Sequence, residues 1–291
     1  MDRNNQDFQY IVQQKALYPQ LCHASNIISQ NGKNNLNAQQ QACLDVLIPQ
    51  YALYLRAMLN ENASDQQSVI RRVSLLNTYY NFIHDNGFDL IFPSTGKFRP
   101  TILEEFMFLL FKSHIEDIKA RLDPHDKLRS GFVKAYSNIY FNADDINGFI
   151  NSPKVGVNTK DQDYAIYRSF DISINGQPTI TINIPCVAIE VKTYIDKTML
   201  DTIIATAEKI KSGNPHSRFV AVAETYDVSL TVDPAYSRID QIYILRKSKR
   251  SNMWRDIDSS VVWRLYHETV SHLNQVWANI SVKLSNDGII I

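Results

Sequence analysis

The spacing of apolar residues predicts helices in the first third of the chain. One apolar set recurs at steps of three and four, namely Val69, Val73, Leu76, Tyr80 and Ile83. Ser64 and Asp65 precede this set and Gly87 follows it, so we predict a capped amphipathic helix there. The first fifty residues are rich in Gln and Asn, and we expect helices with a loop near residues 31–37.

A turn cluster, PSTGKFRP at residues 93–100, predicts a boundary between two regions. We expect a helical N-terminal region at 1–95 and a second region at 96–291. The second region opens with a long, largely buried helix over 101–122, because its apolar positions form one broad stripe. The pattern over 124–158 is less regular and is interpreted as mixed helix and loop.

β-branched and aromatic residues dominate two later segments, DYAIYRSFDISI at 163–174 and PTITINIPCVAIEVKTYI at 178–195. Asn175-Gly176 lies between them, which predicts a hairpin. A helix over 197–211 that ends at Gly213, strands over 218–228 and 239–247, and a last helix over 262–276 are expected downstream. The fold class that follows is α/β (mixed α+β), a mixed central sheet flanked by helices.

Composition narrows the class of protein. The chain has 291 residues, 44% of them hydrophobic, a net charge of zero and three cysteines without CxxC spacing. We therefore expect a folded protein without a disulfide framework or structural zinc. No apolar run approaches the length of a bilayer span, and the first residues lack the apolar core of a secretory signal, so a cytoplasmic protein with no membrane partner is expected. Basic charge is concentrated in RKSKRSNMWR at 246–255.

One strand carries an unusual charged pair. Glu190 and Lys192 are two residues apart in VAIEVK, so both side chains leave the same face of an otherwise apolar strand. A two-residue turn would pair positions that sum to 351, placing Asp163 opposite Ala188 and Asp161 opposite Glu190. The acidic groups and the lysine would then converge on one face, provided that no bulge at the prolines of the second strand flips it.

Such a cluster suits phosphodiester hydrolysis. Two carboxylates, with the backbone carbonyl of Val191 as a third oxygen, can bind a hard divalent cation such as Mg²⁺. The cation would acidify bound water, while Lys192 orients that water or stabilises the transition state. An ordinary surface salt bridge explains an ExK tripeptide equally well, but the apolar flanks favour a functional pair.

Asp163 followed by Glu190-Val191-Lys192 resembles the PD-(D/E)xK nuclease superfamily. The segments PTILEEF, KDQDYAIY and VAIEVKTYID are similar to restriction endonuclease subunits of the BbvCI type, over roughly residues 100–200. The resemblance implies a Mg²⁺-dependent type II restriction endonuclease subunit, with Asp163 and Glu190 as metal ligands and Lys192 as the catalytic cation. It also implies a bacterial protein with a PD-(D/E)xK-like nuclease domain at 96–291 and an N-terminal region at 1–95 that serves DNA recognition or interaction. A second, homologous subunit in a heterodimer is implied as well. A homodimer, and a non-catalytic DNA-binding or structural subunit with the same fold, are the alternatives.

Two positions depart from the motif or have a second explanation. Gln162 stands where the motif has Pro, so Asp161 remains a competitor for the first ligand position. Glu104 is a catalytic candidate from the preceding helix, with Glu105 a weaker one, although Thr101 and Glu104 also match a capping box. For double-stranded DNA, the candidate phosphate contacts are Lys160, Lys247, Lys249 and Arg250, together with Lys127, Arg129 and Lys134. A solvated surface position explains each of them equally well.

Overall fold

A computed structural model describes residues 3–92, 98–173, 178–275, 279–286 and 288. Six helices precede the sheet: α1 (Arg3–Leu17), α2 (Cys22–Asn31), α3 (Ala38–Asn60), α4 (Gln66–Asp85), α5 (Phe88–Ile91) and α6 (Pro100–Leu122). Four more lie within or after it: α7 (Ile146–Asn151), α8 (Lys197–Gly213), α9 (Ser259–Asn274) and α10 (Ile280–Asn286). The mixed α/β class is confirmed.

The described strands form one five-stranded sheet in the order β1-β2-β3-β4-β5. Their bounds are β1 (Leu128–Asn142), β2 (Lys154–Ile172), β3 (Ile180–Ile195), β4 (Arg218–Tyr226) and β5 (Gln241–Ile244). The first three strands pair antiparallel, and β3, β4 and β5 pair parallel. The predicted mixed sheet is therefore present, with β3 at its centre.

Each face of the sheet has its own hydrophobic core. One face packs against α6, α9 and the N-terminal helices, and Ile189 and Val191 of β3 point into that core. The other face packs against α8, and small residues such as Ala188 and Ala221 point towards it. Because side chains alternate along a strand, Glu190 and Lys192 share the α8 face with Ala188.

Side-chain caps explain where several helices begin. Asp65 accepts a hydrogen bond from the Ser68 amide at the start of α4, as Asp196 does from Met199 at the start of α8. At α3, Asn37 forms a reciprocal capping box with Gln40. Gly87 has a positive φ of 63° immediately after α4, which glycine adopts without strain. The predicted α4 and α8 are confirmed.

One helix of the described chain, α3, is long and apolar enough by length and composition to cross a membrane. Half of its apolar window is buried within the fold. Its buried residues, among them Leu44, Tyr51 and Leu55, belong to the core shared with α4 and α6. Length and composition alone do not separate a spanning helix from a core helix of this kind.

The prediction of mixed helix and loop over 124–158 is wrong in its main part. This region holds all of β1, the short α7 and the start of β2. The residues of β1 that point inward are small, namely Gly131, Val133, Ala135 and Ser137, while Phe132 on the outer face is 62% exposed. In most strands the large apolar residues point inward and the polar ones outward. Here the inward residues are small and a large apolar residue points outward, so the hydrophobic pattern did not indicate a strand.

Close approach of α8 explains the small residue Ser137 of β1. A Cβ added to Gly213, at the end of α8, would overlap the carbonyl oxygen of Ser137. Gly213→Ala should lower the free energy of unfolding by about 3 kcal/mol, the upper range for overpacking, because backbone must move. Chemical denaturation measures this. Gly148→Ala is the control, since its Cβ meets nothing closer than 3.4 Å, and an equal loss there would contradict the explanation.

The predicted hairpin register is wrong, although Asp163, Glu190 and Lys192 do meet on one face as predicted. Ala188 pairs with Ala165 rather than with Asp163, and continuation of this register sets Asp163, not Asp161, opposite Glu190. Near the turn the pairing is offset by one residue from the prediction, and a bulge at Cys186 adds a second offset. Each single-residue offset turns the paired side chains to the other face of the sheet, so two offsets return them to the predicted face. The predicted Asn175-Gly176 turn lies outside the described residues.

Two downstream predictions need correction at their ends. The last strand covers only Gln241–Ile244, because a turn follows and Lys247 has a positive φ of 48°. The fourth strand ends at Tyr226, two residues earlier than predicted. Helix α9 is confirmed through Asn274, and position 276 lies outside the described residues.

Candidate active site

Three side chains from β2 and β3 meet on the α8 face of the sheet. The Lys192 Nζ donates to Oε1 of Glu190 at 2.7 Å and to Oδ2 of Asp163 at 3.1 Å. All three are half-buried, with exposed side-chain fractions of 28% for Lys192, 24% for Asp163 and 13% for Glu190. One ammonium therefore bridges two carboxylates that remain accessible to solvent.

Backbone geometry fixes Asp163 against β3. Its Oδ2 accepts a hydrogen bond from the Val191 amide at 2.8 Å. Between Gln162 and Ala165, β2 advances one residue more than β1 does, so a bulge lies at this point of the strand. A bulge redirects the side chains beside it, which accounts for an aspartate that reaches across to the backbone of the next strand.

Burial and charge both shift the pKa values of this cluster. Burial and the nearby Asp163 charge raise the pKa of Glu190, against the opposing effects of Lys192 and Lys160. Burial lowers the pKa of Lys192, but the charges of Asp163 and Glu190 outweigh it and leave that pKa above its usual value. The lysine is thus held as a cation between two acids.

The donor set suits a hard cation. The second carboxylate oxygens of Asp163 and Glu190 have no hydrogen-bond partner among the described residues. No group of three or more His, Cys, Asp or Glu side chains with metal-binding geometry occurs in the described part of the chain. Two carboxylates and a backbone carbonyl match Mg²⁺, which takes oxygen ligands and keeps several waters.

The competing aspartate and the nearby lysine take different positions. Asp161 is exposed, and its backbone pairs with Lys134 on β1. Lys160 lies close enough to Glu190 for its charge to lower the pKa of that carboxyl. Lys160 therefore acts on the cluster through its charge, whereas Asp161 lies at the surface.

Glu104 lies on α6, which packs against the opposite face of the sheet. The hydrogen bonds and ion pairs of the cluster are made among Asp163, Glu190, Lys192 and the Val191 backbone. The predicted capping box is wrong: α6 begins at Pro100, and no side-chain cap bond is made. Proline suits the first helical position, because its missing N–H is unpaired there anyway. A site role for Glu104 stays a prediction.

Glu105 has a structural environment that sequence reasoning missed. Its buried carboxylate accepts hydrogen bonds from the His23 and Ala24 amides, at the start of α2, and from the Tyr51 hydroxyl. Burial raises the pKa of Glu105 to about 7, although these hydrogen bonds oppose the shift. A glutamate within the apolar run TILEEFMFLL was the available signal.

The neighbouring His23 side chain is also fully buried, and it hydrogen-bonds to Tyr79 and Thr101. Burial lowers the pKa of His23 from 6.5 to about 3. The unfolded chain therefore binds this proton first, and His23 makes the fold less stable as pH falls below 6.5. The raised pKa of Glu105 acts oppositely between 4.5 and 7, since the folded state binds that proton more tightly.

These opposing effects predict how stability depends on pH. In the wild type they offset one another between pH 4.5 and 6.5, and stability falls more steeply below about 4.5. Glu105→Gln removes the effect of Glu105 and leaves that of His23, so the stability of this variant should begin to fall near pH 6.5. Melting temperatures recorded across pH measure this. Glu116→Gln, an exposed position on the same helix, should keep the wild-type profile. A Glu105→Gln profile that matches wild type would refute this account.

The basic segment divides into buried and exposed parts. Arg246 is only 3% exposed, and its guanidinium pairs with the buried Glu224 at 2.8 Å. Lys247 pairs with Asp258 at 2.5 Å. Lys249 and Arg250 are exposed. The segment is therefore not a uniformly solvated loop.

Comparisons with known proteins bear on the family and the fold of the chain. The family model of the Bpu10I restriction endonuclease matches residues 96–276. A solved structure described as the native BbvCI A2B2 tetramer at low resolution matches with a TM-score of 0.63 and 21% identity. That match covers 89% of this chain and 98% of the other, and at this identity it shows the fold. No curated protein matches the chain significantly.

Proposed function

Because the chain belongs to the Bpu10I restriction endonuclease family, we propose that it is a type II enzyme subunit that hydrolyses DNA phosphodiester bonds with Mg²⁺. The resemblance to restriction endonuclease subunits of the BbvCI type is confirmed at the level of family and fold. The observation that carries the proposal is the contact of Lys192 with both Asp163 and Glu190. A subunit without catalytic activity has no need to hold these charges on a central apolar strand.

The proposed roles follow from the contacts. Asp163 and Glu190 hold the cation, and the Val191 backbone supplies a third oxygen. When bound, the cation supplies charge neutralisation for the phosphodiester and acidifies the attacking water. Lys192 orients that water and stabilises negative charge in the transition state, because its ammonium remains protonated between two acids. Asp163 is favoured over Asp161, which lies exposed on β2.

We further propose a second subunit. One such site attacks one strand, so a double-strand break needs a second site. The structurally similar protein is described as an A2B2 tetramer, which supports assembly of two homologous subunits here. A heterodimer suits an asymmetric target, whereas a homodimer would imply a palindromic one.

An exposed apolar patch supports this assembly. Four side chains between residues 141 and 150 are each more than half exposed, namely Phe141, Ile146, Phe149 and Ile150. Asp144 and Asp145 lie among them, with Lys154 paired to Asp144. Apolar side chains with acidic neighbours suit a protein surface better than DNA phosphates.

Incubation of the purified chain with plasmid DNA tests the function, alone and with extract from its source. With Mg²⁺ we expect discrete cleavage products. Ca²⁺ should support binding without turnover, because its larger and looser coordination positions water poorly. Binding without cleavage under every Mg²⁺ condition would favour the non-catalytic alternative instead.

A further inference from the structure

A cavity of about 800 Å³ opens where β3 and β4 end, beside the segment that follows β5. Thr193 and Tyr194 line it, directly after Lys192 on β3. The carboxyl ends of parallel strands are the usual place for ligands in sheets of this kind. Five basic side chains and a single carboxylate also line it: Arg99, Arg246, Lys249, Arg250, Arg255 and Glu224.

The inner wall of the cavity is a fixed ionic network. The Oε2 of Glu224 accepts from Arg246 at 2.8 Å and from Arg99 at 2.9 Å. Arg246 also donates to the carbonyl oxygen of Arg255. Its Nη2 is buried and has no partner among the described residues. One carboxylate thus faces an excess of guanidinium groups, so the cavity carries net positive charge.

The Trp254 and Tyr194 rings of the cavity are already in contact with cationic or aromatic groups. The Trp254 ring is stacked on His84 at 4.2 Å on one side and contacts the Arg246 guanidinium at 3.7 Å. Arg250 covers the Tyr194 ring at 4.3 Å. Since cationic and aromatic groups already occupy these rings, the cavity presents N–H donors rather than stacking platforms. Backbone phosphate fits such donors better than a nucleobase does.

Arg250 connects this cavity to the candidate catalytic cluster. Tyr194 follows Lys192 by two residues, so both side chains leave the same face of β3. A strand rises about 3.3 Å per residue, which puts Tyr194 about 7 Å from Lys192 along β3. Phosphates of one DNA strand are separated by about 3.4 Å of helix axis, so the cavity lies within a few nucleotides of the cluster.

The basic residues of this segment differ in whether they form an ion pair within the protein. Lys247 pairs with Asp258 and also donates to Ser260, and it is not among the residues that line the cavity. Lys249, Arg250 and Arg255 line it and form no salt bridge within the described part of the chain. Of the basic residues at 247–250 predicted from sequence to contact phosphate, Lys247 is thus the one that is ion-paired and lies outside the cavity lining.

We propose that Lys249, Arg250 and Arg255 bind backbone phosphates of the cleaved strand beside the scissile phosphate. This proposal rests on the proposed DNA cleavage and adds to it the path of the strand. Arg250 acts as a positioning residue, because its stacking on Tyr194 fixes the guanidinium on the catalytic face. The buried network of Arg246 and Glu224 holds the segment in place.

The test measures how DNA affinity depends on salt, by anisotropy of a labelled duplex in Ca²⁺ at about 50 to 200 mM salt. The triple variant Lys249→Ala, Arg250→Ala, Arg255→Ala should reduce the slope of log affinity against log salt by up to about three units, one per lost phosphate contact. Lys247→Ala removes the same charge from the same segment and should leave the slope unchanged. Arg250→Ala should lower the slope by about one unit, and Arg250→Lys should restore it. Wild-type melting temperatures in all variants confirm that the chain still folds.

Two results would overturn the proposal. One is an unchanged salt slope in the triple variant, and the other is a fall in the slope of Lys247→Ala equal to that of Arg250→Ala. If wild type cleaves DNA and the triple variant keeps its slope, only the strand path is wrong. If wild type neither binds nor cleaves DNA with its partner extract present, the proposed function fails as well. A lowered slope in the triple variant with an unchanged Lys247→Ala supports the inference.

Discussion

Lys192→Ala is expected to abolish DNA cleavage while largely sparing DNA binding. The Nζ of Lys192 contacts both Asp163 and Glu190. In the proposed mechanism its removal takes away the cation that acts on the attacking water and the transition state. Loss of one such electrostatic group costs about 10²- to 10³-fold in rate. Ground-state affinity, which comes from phosphate contacts elsewhere, should change little.

Single-turnover cleavage and duplex binding in Ca²⁺ measure the two parts of this prediction. Lys197→Ala is the matched control, because Lys197 is an exposed lysine on α8 that pairs with Asp201 outside the cluster. It should cleave at the wild-type rate. Retention of more than about a few per cent of activity by Lys192→Ala would remove Lys192 from the mechanism.

Pairing a Glu190→Ala chain with an intact partner subunit is expected to produce a strand-specific nickase. Glu190 supplies one of the two carboxylates of this site, so its loss should stop cleavage of one strand only. Conversion of supercoiled plasmid to the open circular form, with little linear product, is the measurement. Sequencing of the nicks should place them all on one strand.

The control for the nickase experiment is Glu208→Ala, an exposed glutamate of α8 that pairs with Arg238. It should give linear DNA as wild type does. Linear product at the normal rate from the Glu190→Ala mixture would show that neither strand needs Glu190. If the functional unit is a homodimer, Glu190→Ala alone should stop both cuts, which distinguishes the two assemblies.

The helices were predictable because their signals are local. Asp65 caps α4 and Gly87 follows it, and Asp196 caps α8. The strand β1 was not predictable from the same rules, since close packing of α8 demands small residues such as Ala135 on the inner face. That requirement comes from tertiary contact, which a pattern of hydrophobicity along one segment does not contain.

The candidate site was predictable in its residues but not in its register. Alternation along β3 put Glu190 and Lys192 on one face, and that holds in the structure. The pairing partner of Glu190 depends on the turn and on the bulge at Cys186, beside Pro185. Proline lacks an amide donor and favours irregular pairing, but where the extra residue is inserted depends on the whole sheet.

A charged residue in an apolar run was a reliable sign of a buried polar role without specifying which role. Glu190, Glu105 and Glu224 all meet this criterion in the sequence. The first joins the candidate cluster, the second binds the amides that begin α2, and the third anchors Arg246. Only the positions of their partners, far away in the chain, separate catalysis from structure.

The central position of β3 has a consequence for backbone dynamics. Its amides and carbonyls pair antiparallel with β2 and parallel with β4, so local opening there must break both ladders. At the edges, β1 and β5 each have one neighbour within the described sheet. We therefore expect amide hydrogen exchange to be slower along the inner strands β2, β3 and β4 than along the two edge strands. The residues of the candidate site project from two of these inner strands, β2 and β3, so we expect adjustment to a bound duplex to occur in the segments around them.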